Sequence, residues 1–404
     1  MAQNFGATNR SDFPLLASDR SLVYLDSAAS AQKPQVVIDA EKHFYEHDYA
    51  NVHRGVYRLA ERSTELFEAS RELVREFLSA RSTSEIVFTR GTTEAVNLVA
   101  ASWGGKFISK NDEIVVTVAE HHSNFVPWQL LAGEVGARVK YVPLDGAGDF
   151  SLPLFLEQLS PRTKLVAVSH IANGLGVRSP VNEIIRASHD HGAVVLLDSA
   201  QAVAHEPIDV SKLDVDFLAF SGHKIYGPTG IGCLYGKSEL LDAMPPFQSG
   251  GEMIRTVSIA GTTFNSPPQR FEAGTPNIAG AVGLGAAIQY VQRIGLDKIS
   301  RHEHELVRLL EQELLSIPGV HLLGPIGSHH ALVCFTTDGV HPHDIAQYLS
   351  QRNICVRAGH HCAQPLLEHF GIGASTRASL ALYNTPEDVQ TFGRELREAI
   401  AYFR

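Results

Sequence analysis

The sequence lacks any apolar run long enough to cross a bilayer. Its most apolar stretch, Ile278 to Ile288, is eleven residues and rich in glycine and alanine, which suits a close-packed buried helix better than a membrane span. Met1 to Arg20 is polar, without the apolar core of a secretion signal. Cysteine is scarce. The four residues Cys233, Cys334, Cys355 and Cys362 show no C-x-x-C spacing, so neither a disulfide framework nor a zinc ribbon is expected, and a reducing cytoplasm fits. Lysine and arginine form no cluster, and the formal net charge is −10, which excludes a nucleic-acid surface. Histidines number 20, yet no H-E-x-x-H occurs and no third ligand stands at a diagnostic spacing, so no metal site is expected.

What is present is a globular composition, 44% hydrophobic and 19% charged, in 404 residues, a length that points to two domains. Strand-like segments alternate with helical ones: Glu85 to Thr89, Glu113 to Val118, Val139 to Leu144, Lys164 to Val168, Ala193 to Leu197 and Val215 to Phe220. Such a βαβ rhythm predicts an α/β fold with a mostly parallel sheet covered on both faces. Ligands of such sheets bind beyond the carboxyl ends of the strands. After a helical stretch from Ala279 to about Leu315 the pattern changes. Val320 to Leu323, Ala331 to Thr336, Ile354 to Arg357 and Thr376 to Leu382 read as strands, and Thr385-Pro-Glu-Asp opens a final helix. The expected division is a large domain over 20–295 and a smaller α+β domain made of the N-terminal arm, 1–19, with 296–404.

Lys224 is the residue around which the chain is organised. It follows the apolar strand Val215 to Phe220 and precedes the turn Gly227-Pro-Thr-Gly, with no solvating charges beside it. An amine held there loses hydration, its pKa falls, and it becomes a nucleophile that forms Schiff bases. Asp198 ends the neighbouring apolar run. An amine and a carboxylate at adjacent strand ends are what pyridoxal phosphate needs: the amine holds the aldehyde, and the carboxylate keeps the pyridine nitrogen protonated. Gly91-Thr92-Thr93, between a strand and a helix, offers free N–H groups and hydroxyls to a phosphate, though the same residues also serve as a plain helix cap. Ser221 and His223 add donors. His121, at another strand end, is placed to stack on a ring and shuttle protons, whereas the adjacent His122 reads as a surface histidine. Cys233, Cys334 and Cys355 lie in apolar strands and read as small buried hydrophobes. Cys362 instead sits in Arg357-Ala-Gly-His-His-Cys-Ala-Gln-Pro, a loop without an apolar run, where histidine and arginine favour a thiolate. Arg377, in a small-residue strand, requires an acidic partner or a carboxylate ligand.

The segments Thr-Arg-Gly-Thr-Thr-Glu (89–94), Ala-Glu-His-His-Ser-Asn (119–124), Asp-Ser-Ala-Gln (198–201), Ser-Gly-His-Lys-Ile-Tyr-Gly-Pro-Thr-Gly (221–230), Ala-Gly-Thr-Pro (273–276) and the cysteine loop (357–365) resemble cysteine desulfurases of the second group, the SufS/CsdA type. These belong to the aminotransferase class V superfamily of pyridoxal phosphate fold type I. The resemblance runs from about residue 20 to the C-terminus. It implies a seven-stranded-type sheet sandwiched by helices, and these roles. Lys224 carries the cofactor, Asp198 pairs with its ring nitrogen, Gln201 bonds its ring oxygen and His121 stacks. Thr93, Ser221 and His223 hold the phosphate, joined by Thr275 from the other subunit of a homodimer. Asn173 and Arg377 receive the carboxylate of L-cysteine, with Arg357 and His53 lining the pocket. Cys362 accepts the sulfur as a persulfide, for a SufE/CsdE-like or SufU-like acceptor protein in iron–sulfur cluster assembly. Gly174 stands where the family usually carries a branched apolar residue. Selenocysteine lyase chemistry on L-selenocysteine is the nearest alternative. An aminotransferase, which gives Cys362 no task, and a non-catalytic docking scaffold are the others.

Overall fold

The structure is a computed structural model that describes residues 2–404; Met1, the first residue of the expected arm, lies outside them. Seven strands form the central sheet: β1 (Ile86–Thr89), β2 (Glu113–Thr117), β3 (Arg138–Val142), β4 (Thr163–Ser169), β5 (Val194–Asp198), β6 (Phe217–Ser221) and β7 (Gly232–Gly236). Their order is β1-β7-β6-β5-β4-β2-β3. Every pairing from β6 through β5, β4 and β2 to β3 is parallel; β7 alone runs against its neighbours. The parallel strands need no polar alternation, because helices cover both faces. Accordingly β2 and β6 are buried along their whole length. The two sides of the sheet carry separate apolar clusters, one holding Val115, Val166, Val195 and Leu197, the other Ile114, Leu165, Leu196 and Ala219.

On one side, helix α1 (Arg58–Leu78) packs against α2 (Ile278–Ile294). The eleven-residue apolar stretch is therefore a buried helix, as its small residues predict. Gly285 lets the two backbones approach: a Cβ there would meet Leu73 and Ser70 of α1 at 3.1 Å. At Gly295, whose φ of 94° suits glycine, the chain turns into α3 (Leu296–Leu315). Beyond it lies a four-stranded antiparallel sheet of β8 (Val320–Leu322), β9 (Leu332–Thr337), β10 (Arg357–Gly359) and β11 (Ser375–Ser379), in the order β8-β9-β11-β10. Helices α3 and α4 (Pro386–Phe403) supply Leu310, Leu314, Phe392 and Leu396 to its core. Thr385 and Asp388 form the expected capping box at the start of α4.

Several expectations need correcting. The segment Ile354 to Arg357 is not one strand. Ile354–Cys355 pairs in parallel with Val23–Tyr24, and the chain then switches to β11 as β10. Because that first strand is only two residues long, Cys355 stays half-buried rather than joining Cys233 and Cys334 in the core. The strand read from Thr376 to Leu382 ends at Ser379. The hairpin of Ile254–Ser258 with Gly261–Phe264 carries no buried face and left no apolar alternation to read.

Arg71 of α1 is wholly buried. Its guanidinium forks onto Glu272 at 2.6 and 2.9 Å, and Glu272 also accepts from the Phe88 N–H at 2.7 Å. Glu272→Ala leaves the buried cation with Glu68 as its carboxylate, 3.0 Å away, and should cost about 1–3 kcal/mol, read as a lower denaturant midpoint. An unchanged midpoint contradicts this account of the packing.

Candidate active site

The parallel strands all end at one edge, and the chemistry collects there. Asp198 is the last residue of β5 and pairs with Ala219 of β6. Ser221 ends β6, and the short turn Gly222–Lys224 follows directly. His121 follows β2 and Asn173 follows β4. A cavity of about 140 Å³ opens at this edge, lined by Thr92, Thr93, His121, Asn173, Asp198, Gln201, Ser221, His223 and Lys224. Arg357, His361, Cys362 and Arg377, from the β10–β11 region, close its other wall.

Electrostatics follow from burial. Lys224 is half-buried at the strand end, and its amine, withdrawn into the cavity, loses hydration, which lowers its pKa from 10.5 to about 8. The Asp198 carboxylate opposes that fall, and the Arg377 guanidinium adds to it. Burial in turn raises the Asp198 pKa against the pull of Lys224. Among the described residues its Oδ1 accepts only the Ala200 N–H, at 3.0 Å. His121 is pushed down to about 3 by burial and then by Lys224, so its ring is neutral. Its Nδ1 accepts the Ser123 N–H at 3.0 Å, which leaves the ring proton on Nε2. His223 falls to about 4, again by burial first.

The phosphate side is built by close approach. The Ser221 hydroxyl accepts the Thr92 N–H at 2.9 Å and bonds the Thr92 hydroxyl at 2.8 Å. That draws the Gly91 turn onto β7, where a Cβ on Gly232 would lie 2.5 Å from the Gly91 Cα. Thr92 is thus buried in support, while Thr93 is exposed at the helix start. Gln201 is oriented by donating to the Ala28 carbonyl at 3.0 Å.

The opposite wall is arginine-rich. Arg377 is buried and donates through Nη1 to the Asn173 carbonyl at 3.0 Å and through Nη2 to Asp26 at 3.3 Å. Asp26, which the sequence reading passed over, is the acidic partner Arg377 requires; it also lies 3.5 Å from Arg357. A strand end at Leu25 followed by small residues was the available signal. The Arg377 Nε and the Asn173 Oδ1 have no hydrogen-bond partner among the described residues. Such orphaned groups fit an incoming carboxylate that carries an amine. The buried amine, the lone carboxylate and the cradle of Thr92, Thr93, Ser221 and His223 fit pyridoxal phosphate.

Cys362 lines the cavity in a turn that is held rather than loose. His122, expected to be a bystander, donates its N–H to the Cys362 carbonyl at 2.7 Å and accepts the Gln364 N–H at 3.1 Å. Gly174 has its own reason: a Cβ there would meet Leu366 at 2.6 Å, so the helix after Cys362 occupies the space a branched residue would need. Two expected residues lie elsewhere within one chain. His53 bonds Glu68 at 2.9 Å and does not line the cavity. Thr275 is exposed beside a second cavity, with Arg90, Glu94 and Phe247.

Comparison with known proteins identifies the family. The aminotransferase class-V family profile matches residues 23–392. A cysteine desulfurase of Synechococcus elongatus is 52% identical over 96% of this chain and 62% of its own length, so the chain spans less than two thirds of that protein. A cysteine desulfurase of Escherichia coli is 48% identical over 94% of both chains. The crystal structure of the Escherichia coli cysteine desulfurase CsdA superposes with a TM-score of 0.93 at 42% identity, covering 99% of both chains. The chain belongs to the aminotransferase class-V family, in its cysteine desulfurase branch of the second group.

Competitive acetylation of cofactor-free protein should titrate Lys224 near pH 8 rather than near 10.5. Asp198→Asn removes the charge that opposes burial, so that variant should titrate lower still. A wild-type value at the ordinary lysine pKa contradicts this.

Proposed function

We propose that this chain is a pyridoxal phosphate-dependent cysteine desulfurase that converts L-cysteine to L-alanine and keeps the sulfur on Cys362 as a persulfide. The observation that carries the reading is one cavity holding a buried amine, a carboxylate, a neutral histidine, an arginine with a free Nε and a thiol. Bound pyridoxal phosphate supplies the electron sink that makes the substrate Cα proton removable. Lys224 would anchor it, and the same amine is placed to take that proton. Asp198 would supply the counter-charge to its ring nitrogen. Arg377 and Asn173 hold the substrate carboxylate, and Asp26 and the Asn173 carbonyl keep Arg377 in place. The Cys362 thiolate attacks the substrate sulfur. The carbon–sulfur bond breaks, the sulfur stays on Cys362, and the electron pair left on carbon takes a proton to give alanine; the Lys224 ammonium, which has taken the Cα proton, is the donor, while neutral His121 lines the cavity beside it.

The relatives reported above are named for cysteine, which favours it over selenocysteine. A homodimer completes the site. The cavity beside Thr275 shares Arg90, Glu94 and Phe247 with a further groove that reaches Thr92, Thr93 and Ser221. A twofold partner seated there would bring its Thr275 to this cradle. Cys362 sits at a partly exposed rim without a long flexible arm, so an acceptor of the SufE, CsdE or SufU kind comes to it, for iron–sulfur cluster assembly in the cytoplasm. We assign residues 20–295 to the cofactor-binding domain, and the arm with 296–404 to the small domain that carries the thiol.

The test compares alanine release from L-cysteine and L-selenocysteine by wild type and Cys362→Ala. The variant should lose at least about 100-fold on L-cysteine and keep most activity on L-selenocysteine, whose selenium leaves unaided. A Cys362→Ala protein that still releases cysteine sulfur at full rate defeats the persulfide step.

A further inference from the structure

Cys362 occupies a strained turn. His361 and Cys362 both have left-handed backbones, with φ of 51° and 56°, a conformation non-glycine residues adopt only when their surroundings impose it. The turn is imposed from two sides. On the inner side the Asn173 amide donates to the His361 carbonyl at 2.6 Å, and the His361 ring bonds the Ser375 hydroxyl at 2.9 Å; both bonds are buried. On the outer side His122 grips the chain on either flank of the thiol. Its N–H donates to the Cys362 carbonyl, and its Nε2 accepts the Gln364 N–H. That ring bond is exposed to solvent, so it is the least protected of the four and the first to open.

We propose that His122 is the positioning residue that latches the Cys362 turn against the cavity, through the bond from its Nε2 to the Gln364 N–H. With the latch closed the thiol faces the cavity. With it open the bond from the His122 N–H to the Cys362 carbonyl is the last outer hold, and when that gives the strained turn swings outward about His361, whose buried bonds remain, and presents the sulfur at the surface. His122 does not line the cavity and touches no reacting atom. Accepting at Nε2 requires a neutral ring with its proton on Nδ1, so a side chain without an acceptor at that point cannot latch. The delivery step rests on the sulfur-transfer reading above; the latch itself does not.

The test uses holoenzyme carrying His122→Phe, His122→Ala or His122→Gln. Phenylalanine and alanine remove the acceptor, and the glutamine oxygen restores one near Nε2. Iodoacetamide alkylation of each cysteine is followed by peptide mass spectrometry. Loss of one exposed hydrogen bond should speed Cys362 alkylation about 3- to 10-fold in the Phe and Ala variants. The Gln variant should stay close to wild type, and half-buried Cys355, the internal reference, should not change. First-turnover alanine formation should slow in the Phe and Ala variants, while sulfur release to a phosphine reductant should not. Unchanged Cys362 alkylation in both variants, equal acceleration of Cys355, or a Gln variant that behaves like Phe would overturn the proposal. Because alkylation needs no sulfur chemistry, the latch and the persulfide reading can fail separately.

Discussion

The structure depends on holding one amine away from water. Lys224 sits past the end of a wholly buried strand, where an ammonium ion loses most of its hydration. Left alone, such a group would be a liability to the fold. The Asp198 carboxylate at the neighbouring strand end offsets part of that loss, and Lys224 in turn tempers the burial of Asp198. Two strands in parallel register, β5 and β6, are what put the pair side by side. The sheet therefore does more than carry the site. Its register sets the distance over which the two charges act.

A second layer of positioning comes from the small sheet. Arg377 enters from β11 and is oriented by Asp26, near the N-terminus, and by the Asn173 carbonyl after β4. Arg357 and Cys362 come from β10 and the turn after it. Three distant parts of the chain thus meet on one wall, and each is fixed by backbone or carboxylate contacts rather than by solvent. That arrangement leaves three polar atoms without a partner among the described residues, the Arg377 Nε, the Asn173 Oδ1 and the His361 Nδ1. Neutral His121 and His223 line the remaining space, so the positive charge in the cavity comes from Lys224 and the arginines.

Most of this was legible in the sequence for a physical reason. Parallel strands buried on both faces read as unbroken apolar runs, and the polar clusters that end them mark the site edge. Hence Asp198, Lys224, His121 and Thr93 are marked by the strand ends they follow. Contacts set by tertiary packing have no such mark. Asp26 pairs with arginines more than 300 positions away, and no local pattern announces that. His122 looked like a surface residue because its task is to bond a turn that arrives from β10. Gly174 looked like a departure from the family until Leu366 was seen to fill the space above it. His53 and Thr275 lie outside the cavity, His53 bonded to Glu68 and Thr275 beside a second cavity, and no local pattern separates them from the residues that line it.

The most direct measurement is borohydride reduction of the protein as purified, followed by digestion and mass spectrometry. A pyridoxyl group on the peptide that contains Lys224, and loss of that label in Lys224→Ala, is the expected result. A label on another lysine, or a protein that takes up no pyridoxal phosphate, would contradict the claim that the buried amine between β6 and β7 is the centre of this molecule.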